Sequence, residues 1–216
     1  MHAGDAAHVT GGGPLVWYAA YGTNLSPARL GCYLSGGRPP GAERWYDGCR
    51  DPSPPRDVRS VELRGRLSFA GESSVWGGGM AFFTSDSGGH AGGAVHARAY
   101  LLRLEQLGDL VAQEARQPVG TDLVLEPDGR PTRHGLSRTY DVLLDVGELD
   151  GHRMLTLTGS RVPPARAPSP SYVRTMLEGL ADGFGLDADA RVAYLAAADG
   201  VAPRWTAQTL RRMLPA

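Results

Sequence analysis

Apolar positions first gather at Leu15–Tyr21 (LVWYAAY), and the run stops at Gly22, which predicts a buried strand ended by a turn. Ser26 and Pro27 then predict a helix start, with the serine as N-cap and the proline at the first helical position. That helix runs to about Leu34 and ends at Gly36-Gly37. Residues 38–57 are dense in proline and glycine and predict a long irregular loop. From Ser60 the pattern turns strand-like, over 60–69, 75–84 and 93–103, the last two joined by the turn-rich SDSGGHAG segment. Leu104, Leu107, Leu110 and Val111 fall at helical spacing and predict an amphipathic helix over 104–116, with Glu114 near its C-terminal end. Strands follow at 138–147 and 152–158 around the tight turn at Asp150-Gly151. Helical patterns return at 171–184 and 187–197, the first capped by Ser169 or Ser171 beside Pro170. The class is α+β, a curved or barrel-like, mainly antiparallel sheet with surrounding helices.

Composition narrows this picture. The chain has 216 residues, 42% of them hydrophobic, enough for a single core, so residues 14–216 are expected to form one domain behind a flexible tail at 1–13. A formal charge of −1 gives no bulk field for nucleic acid or an anionic membrane. All 22 basic residues are arginine, which excludes a Walker phosphate loop, a Schiff base and a Ser–Lys dyad. The two cysteines, Cys32 and Cys49, form no disulfide framework and no paired zinc-ligand spacing, and read as buried or incidental in a reducing compartment. The start of the chain carries no signal-peptide pattern, and no run approaches the roughly 20 apolar residues of a membrane helix. A cytoplasmic location is expected.

The strand–Tyr21-Gly22-Thr23-Asn24-Leu25–helix unit is the sharpest feature. A glycine turn feeding a helix N-terminus gathers unpaired backbone N–H groups at the positive end of the helix dipole, which suits a carboxylate or a developing oxyanion. The alternative is that Asn24 and Ser26 only cap the helix and Gly22 only supplies the turn.

WYAAYGTNLS resembles the fingerprint of the γ-glutamylcyclotransferase-like superfamily, with Thr23 where that family has serine. Three further stretches follow in the family's order: Trp76-Gly77-Gly78 with Met80-Ala81, the strand–helix pair from Ala94 to Glu114, and Pro168-Ser169-Pro170-Ser171-Tyr172. The resemblance spans about residues 15–200 and implies that family's curved, mainly antiparallel sheet or barrel. It also implies Glu114 as the catalytic acid–base and Tyr21, Gly22, Thr23, Asn24, Leu25 and Tyr172 as substrate-binding residues. The implied partner is a small γ-glutamyl molecule, and no cofactor, metal, nucleic acid or membrane is implied; monomer and homodimer stay open. The implied reaction is release of 5-oxoproline and a free amine. A γ-glutamyl-amine cyclotransferase of a biosynthetic pathway and a non-catalytic binding protein are the alternatives. After the Gln113-Glu114 pair the family has glycine and then tyrosine, whereas this chain reads Ala115-Arg116-Gln117-Pro118, so recognition beyond the γ-glutamyl group is expected to differ.

Two other patterns lead nowhere. Asp86-Ser87-Gly88-Gly89 and His8 echo serine-protease fragments, but His8 lies in a polar tail and no glycine precedes Asp86. The six histidines (2, 8, 90, 96, 134 and 152) contain no HxxxH, and His96 reads as a core or barrel-facing residue.

Overall fold

The computed structural model describes residues 13–40, 42, 44–86, 93–125 and 136–214. Six strands, β1 (Leu15–Ala20), β2 (Val58–Ala70), β3 (Met80–Ser85), β4 (Gly93–Arg103), β5 (Val142–Leu149) and β6 (His152–Thr158), form one sheet in the order β3-β2-β4-β1-β6-β5. Only β1 and β6 run parallel; the other neighbours are antiparallel. The sheet curls: Thr158 at the end of β6 accepts from the Phe83 amide at 3.1 Å and donates to the Phe83 carbonyl at 2.8 Å, drawing edge strand β3 towards β6. The expected α+β class and curved, mainly antiparallel sheet are observed.

Alternation along β1 divides the interior in two. Trp17, Ala19 and Tyr21 enter one core with Leu67, Phe69, Phe83 and Ala97. Against that face pack the helices α3 (Pro170–Phe184), α4 (Ala188–Ala196) and α5 (Ala207–Arg211), which contribute Met176, Leu177, Leu195 and Leu210. Val16, Tyr18 and Ala20 enter a second core on the opposite face, covered by α1 (Pro27–Ser35) and α2 (Leu104–Glu114) through Leu30, Tyr33, Leu107 and Leu110. This is the period-2 rule of a strand buried on both sides.

Where the elements differ from expectation, the backbone supplies the reason. The strand expected over 75–84 starts only at Met80. Gly77 and Gly78 turn through positive φ (69° and 65°), and a Cβ on Gly79 would lie 1.9 Å from the Arg166 carbonyl, so this stretch is a glycine turn laid on the 166–169 backbone. The α2 helix closes at Glu114, two residues earlier than the pattern suggested, because Arg116 takes a left-handed φ of 58°. Ser169, not Ser171, caps α3. The short α5, with Thr206 as its cap, has no counterpart among the expected elements. Among its described residues the loop over 38–57 is irregular as expected, apart from the bridge between Gly37 and Tyr46. The tail at 1–12 and the turn residues 87–92 lie outside the described residues. Among the described residues no helix is long and apolar enough to cross a membrane.

Candidate active site

The β1–α1 connection builds one wall. After Tyr21 the chain makes a single 3-10 turn over Thr23–Leu25, closed by Leu25 N–H to the Gly22 carbonyl at 3.0 Å and Ser26 N–H to the Thr23 carbonyl at 3.1 Å. Ser26 caps α1 by accepting from the Arg29 amide at 3.4 Å. Asn24 is fixed from two sides: its Nδ2 donates to the Tyr18 phenol at 3.3 Å and its carbonyl accepts from Tyr100 at 2.8 Å. Its side-chain oxygen is buried and has no hydrogen-bond partner. A buried polar atom left in this way normally costs free energy, and a ligand donor would relieve it.

The opposite wall is the end of α2. Glu114 is half-buried and accepts a hydrogen bond from the Tyr33 phenol through Oε1. Behind Tyr33 lies Arg29, 97% buried by its 3% exposure, whose Nη2 donates to Tyr33 at 2.8 Å and to Tyr46 at 2.7 Å. Its guanidinium carbon also sits 4.3 Å and 4.5 Å from those two ring centres. Nε and Nη1 of Arg29 have no partner. The adjacent Gln113 ties the parts together, donating to the Tyr33 carbonyl at 3.0 Å and accepting from the Gly48 amide at 3.2 Å. One turn earlier, the fully buried Asp109 accepts from the Arg50 amide at 2.8 Å, the Arg50 side chain at 3.1 Å and the Gly120 amide at 3.0 Å. The 38–57 loop is thereby clamped to the helix that carries Glu114.

An inner cavity of about 50 Å³ is lined by Tyr21, Gly22, Thr23, Asn24, Glu114 and Tyr172, together with Tyr18 and Tyr140. It shares Thr23, Glu114, Tyr140 and Tyr172 with a wider cavity of about 240 Å³ that adds Arg29 and Trp76. Of the residues expected at the site, all but Leu25 therefore meet at one place. Leu25 is fully buried in the core beside α3 and lines neither cavity.

Phenols dominate the lining, and they are neutral. Burial pushes Tyr172 up to about 12, with Glu114 adding to the rise and hydrogen bonds from the Ala81 and Thr23 backbone opposing it. Burial and then the Glu114 charge hold Tyr33 well above the usual phenol range, so Tyr33 is the donor in its contact with Glu114. Tyr140, raised chiefly by burial, donates to the Ala81 carbonyl at 2.7 Å. Cys49 lies behind the site and donates to the Tyr33 carbonyl at 3.3 Å; burial pushes its thiol up to about 12, which leaves no thiolate to act as a nucleophile. Among the described residues no group of three or more His, Cys, Asp or Glu is placed to hold a metal ion.

Arg29, Tyr33, Tyr46 and Tyr140 were not singled out from sequence. The available signal was the register of α1, where Arg29, Leu30, Tyr33 and Leu34 are the buried residues, so that an arginine occupies a core-facing position. A buried arginine is uncommon without a partner or a ligand.

The α+β half-barrel thus carries a small polar cleft where the β1 turn, the α2 end and the α3 start converge. No family model matches the chain. Among curated proteins it is similar to Histone deacetylase 5 of Arabidopsis thaliana, 29% identical over 199 residues, which is 83% of this chain and 30% of that protein. It is also similar to an uncharacterized S-adenosylmethionine-dependent methyltransferase of Mycobacterium tuberculosis, 35% identical over 104 residues, 47% of this chain and 29% of that protein. The chain spans less than a third of the length of these relatives, at 30% and 29%, and their names describe the whole proteins. The solved structures to which the chain is similar include the following two. One, described as a gamma-glutamyl cyclotransferase, has a TM-score of 0.49 and 16% identity, covering 92% of this chain and 98% of that one. The other, an uncharacterized protein from Homo sapiens, has a TM-score of 0.44 and 17% identity, covering 79% and 80%.

Proposed function

We propose that this chain is a cyclotransferase that releases 5-oxoproline and a free amine from a γ-glutamyl amide. The observation that carries the reading is the meeting of Glu114 with the Gly22–Asn24 turn and Tyr172 around one cavity, with Tyr33 donating to the carboxylate from behind. In the proposed reaction the substrate supplies its own nucleophile. The α-ammonium gives one proton to Glu114 and the resulting amine attacks the γ-carbonyl carbon. As the amide C–N bond breaks the departing nitrogen takes that proton from Glu114, and the second proton shed by the attacking nitrogen also ends on the released amine, which leaves as an ammonium ion. The protein contributes placement and charge stabilisation, and holding the glutamyl chain in its ring-closing conformer is the larger part, with effective molarities worth roughly 7–11 kcal/mol.

Each surrounding group has a task in this scheme. Oε1 of Glu114 is engaged by Tyr33, which leaves Oε2 for the ammonium. The unpartnered Asn24 Oδ1 is an acceptor suited to the same ammonium, which carries three donors. The backbone N–H groups of Gly22 and Asn24 would steady the oxyanion or the α-carboxylate; the Thr23 amide faces the Tyr172 phenol, the Leu25 amide is spent within the turn, and Leu25 serves only to anchor it.

The test is a 5-oxoproline assay over γ-glutamyl-alanine, glutathione and γ-glutamyl alkylamines, run with wild type and Glu114→Gln. The glutamine still accepts from Tyr33, so the variant is expected to keep its melting temperature and to lose about 10²–10⁴-fold in turnover. A Glu114→Gln protein that retains most of its activity removes Glu114 from the chemistry. Binding of a γ-glutamyl amide without turnover by wild type would instead identify a binding protein that keeps the cavity.

A further inference from the structure

The cleft does not end where the proposed chemistry does. The 240 Å³ cavity shares Arg44, Ser74 and Arg116 with an outer groove of about 560 Å³ that runs past Trp45 and Tyr46. Pockets that enclose small ligands span roughly 300–1,000 Å³. The inner and middle cavities, about 50 and 240 Å³, already reach the lower end of that range and suffice for a glutamyl group and its amide. The outer groove is space that a γ-glutamyl group does not need.

Its lining is cationic and aromatic. Arg29, which lines the adjoining 240 Å³ cavity rather than the groove itself, has Nε and Nη1 buried without a partner. Arg116, whose left-handed backbone (φ 58°) follows directly on the catalytic helix, makes no side-chain hydrogen bond or ion pair among the described residues. Arg44 spends Nη2 on the Gln113 carbonyl at 2.6 Å and stacks 4.7 Å from the Tyr46 ring centre, which fixes its guanidinium at the junction of the two spaces. Among the described residues the acids nearby do not cancel these charges: Glu72 pairs with Arg166 at 3.0 Å, Glu114 belongs to the reaction centre, and Asp47 is the acid left in the outer lining. Beside them Trp45 is 70% exposed, a broad indole surface held at the rim. An aromatic face next to free guanidinium groups suits a molecule with a flat or apolar body and an acid group.

We propose that the amine released from the γ-glutamyl group is one end of an extended, carboxylate-bearing molecule of peptide-like length. Its acid group lies against Arg44 and Arg116 and its body lies along Trp45. This rests on the cyclotransferase reading and assigns the part of the substrate that the reaction leaves undefined. It also accounts for the departure after Gln113-Glu114, since Arg116 is one of the residues that stands there.

The experiment compares 5-oxoproline release from γ-glutamyl-alanyl-phenylalanyl-aspartate, from its neutral counterpart with asparagine amide at the end, and from γ-glutamyl-butylamine. The acidic peptide is expected to exceed the neutral one in kcat/KM by about tenfold or more, the worth of one charge-assisted contact. In Arg116→Ala that ratio is expected to fall towards one, and in Trp45→Ala both peptides are expected to lose ground to the butylamine. Equal kcat/KM for the acidic and neutral peptides in wild type, or a ratio that survives in the Arg44→Ala/Arg116→Ala double variant, overturns the proposal. Calorimetric binding of free alanyl-phenylalanyl-aspartate separates the two layers. If no substrate yields 5-oxoproline but the free acidic peptide binds wild type and not Arg116→Ala, the groove assignment stands and the reaction falls; turnover without preference gives the reverse. Circular dichroism melts of each variant show that lost discrimination is not lost folding.

Discussion

Tyr33→Phe isolates the contact on which the placement of Glu114 depends. The variant keeps the ring, and with it the stacking of Arg29 at 4.3 Å, but removes the oxygen that accepts from Arg29 Nη2 and donates to Glu114 Oε1. Arg29 retains Tyr46 as an acceptor at 2.7 Å, so the guanidinium is not stripped bare. A hydrogen bond to an ionised group contributes about 1.5–3 kcal/mol. If that orientation is needed only as the proton moves, kcat falls by about ten- to a hundredfold while KM changes by less than about threefold. The same loss should lower the melting temperature modestly, which a thermal melt reads separately. The pH profile tests separately whether Tyr33 itself titrates during turnover. The Tyr33 phenol stays protonated well above its ordinary range, first through burial and then through the Glu114 charge, so wild type and variant should have profiles of the same shape between about pH 6 and 9, displaced in height. An unchanged kcat would refute the positioning role. Disappearance of a basic limb in the variant would show that Tyr33 itself titrates during turnover, contrary to its setting.

Three further outcomes follow from the geometry. In Gly22→Ala a new Cβ would lie 2.9 Å from the Tyr172 phenol oxygen, and because φ at Gly22 is an ordinary −104°, the fold should survive while KM rises and kcat falls together in steady-state assays. Asp109→Asn weakens the clamp on the 38–57 loop and should lower stability by roughly 2–3 kcal/mol in denaturant titration, less than a fully buried pair would lose because the Arg50 side chain is 36% exposed. His96 lies between Phe184 and Tyr194 with Nδ1 3.5 Å from Glu62; burial holds its pKa below 6.5 against the opposing pull of that carboxylate. Its neutral form therefore contributes fully above pH 6.5, and that contribution is lost as pH falls below it, so melting temperatures of His96→Phe should fall less steeply than those of wild type on acidification.

The parts of the fold written in local pattern were legible. Leu15–Tyr21 reads as a strand because its neighbours are apolar on both sides, and Ser26-Pro27 marks α1 because both residues solve problems peculiar to a helix start. The start of β3 was misplaced for a physical reason. Val75, Trp76, Phe82 and Phe83 are strand formers, but the conformation of Gly77–Gly79 between them is dictated by contact with residues 166–169, which no short window contains. Arg29 is not legible in the sequence because arginine is ordinarily a surface residue, and its value emerges only when Tyr33 and Tyr46, from a helix and a loop, converge on it. Tyr140 reaches the cavity from a segment 59 residues away from its partner Ala81, a distance that periodicity does not bridge. Glu114 and the Gly22–Asn24 turn were placed together by resemblance, and local spacing alone would have left them unconnected.

The division of the interior by β1 gives the cleft an unusual dependence. Tyr21, Ala81 and Tyr172 belong to the core beneath α3, whereas Tyr18, Tyr33 and Leu157 belong to the core beneath α1 and α2, and the cleft is the seam between them. Proteins open in cooperative blocks, each with its own free energy of opening. A seam has no reserve of its own: fluctuation of either block separates Glu114 from the turn it faces, although most of the sheet stays protected from solvent exchange. Substrate bound across the seam would therefore act as a cross-brace, linking the two blocks into a single cooperative unit.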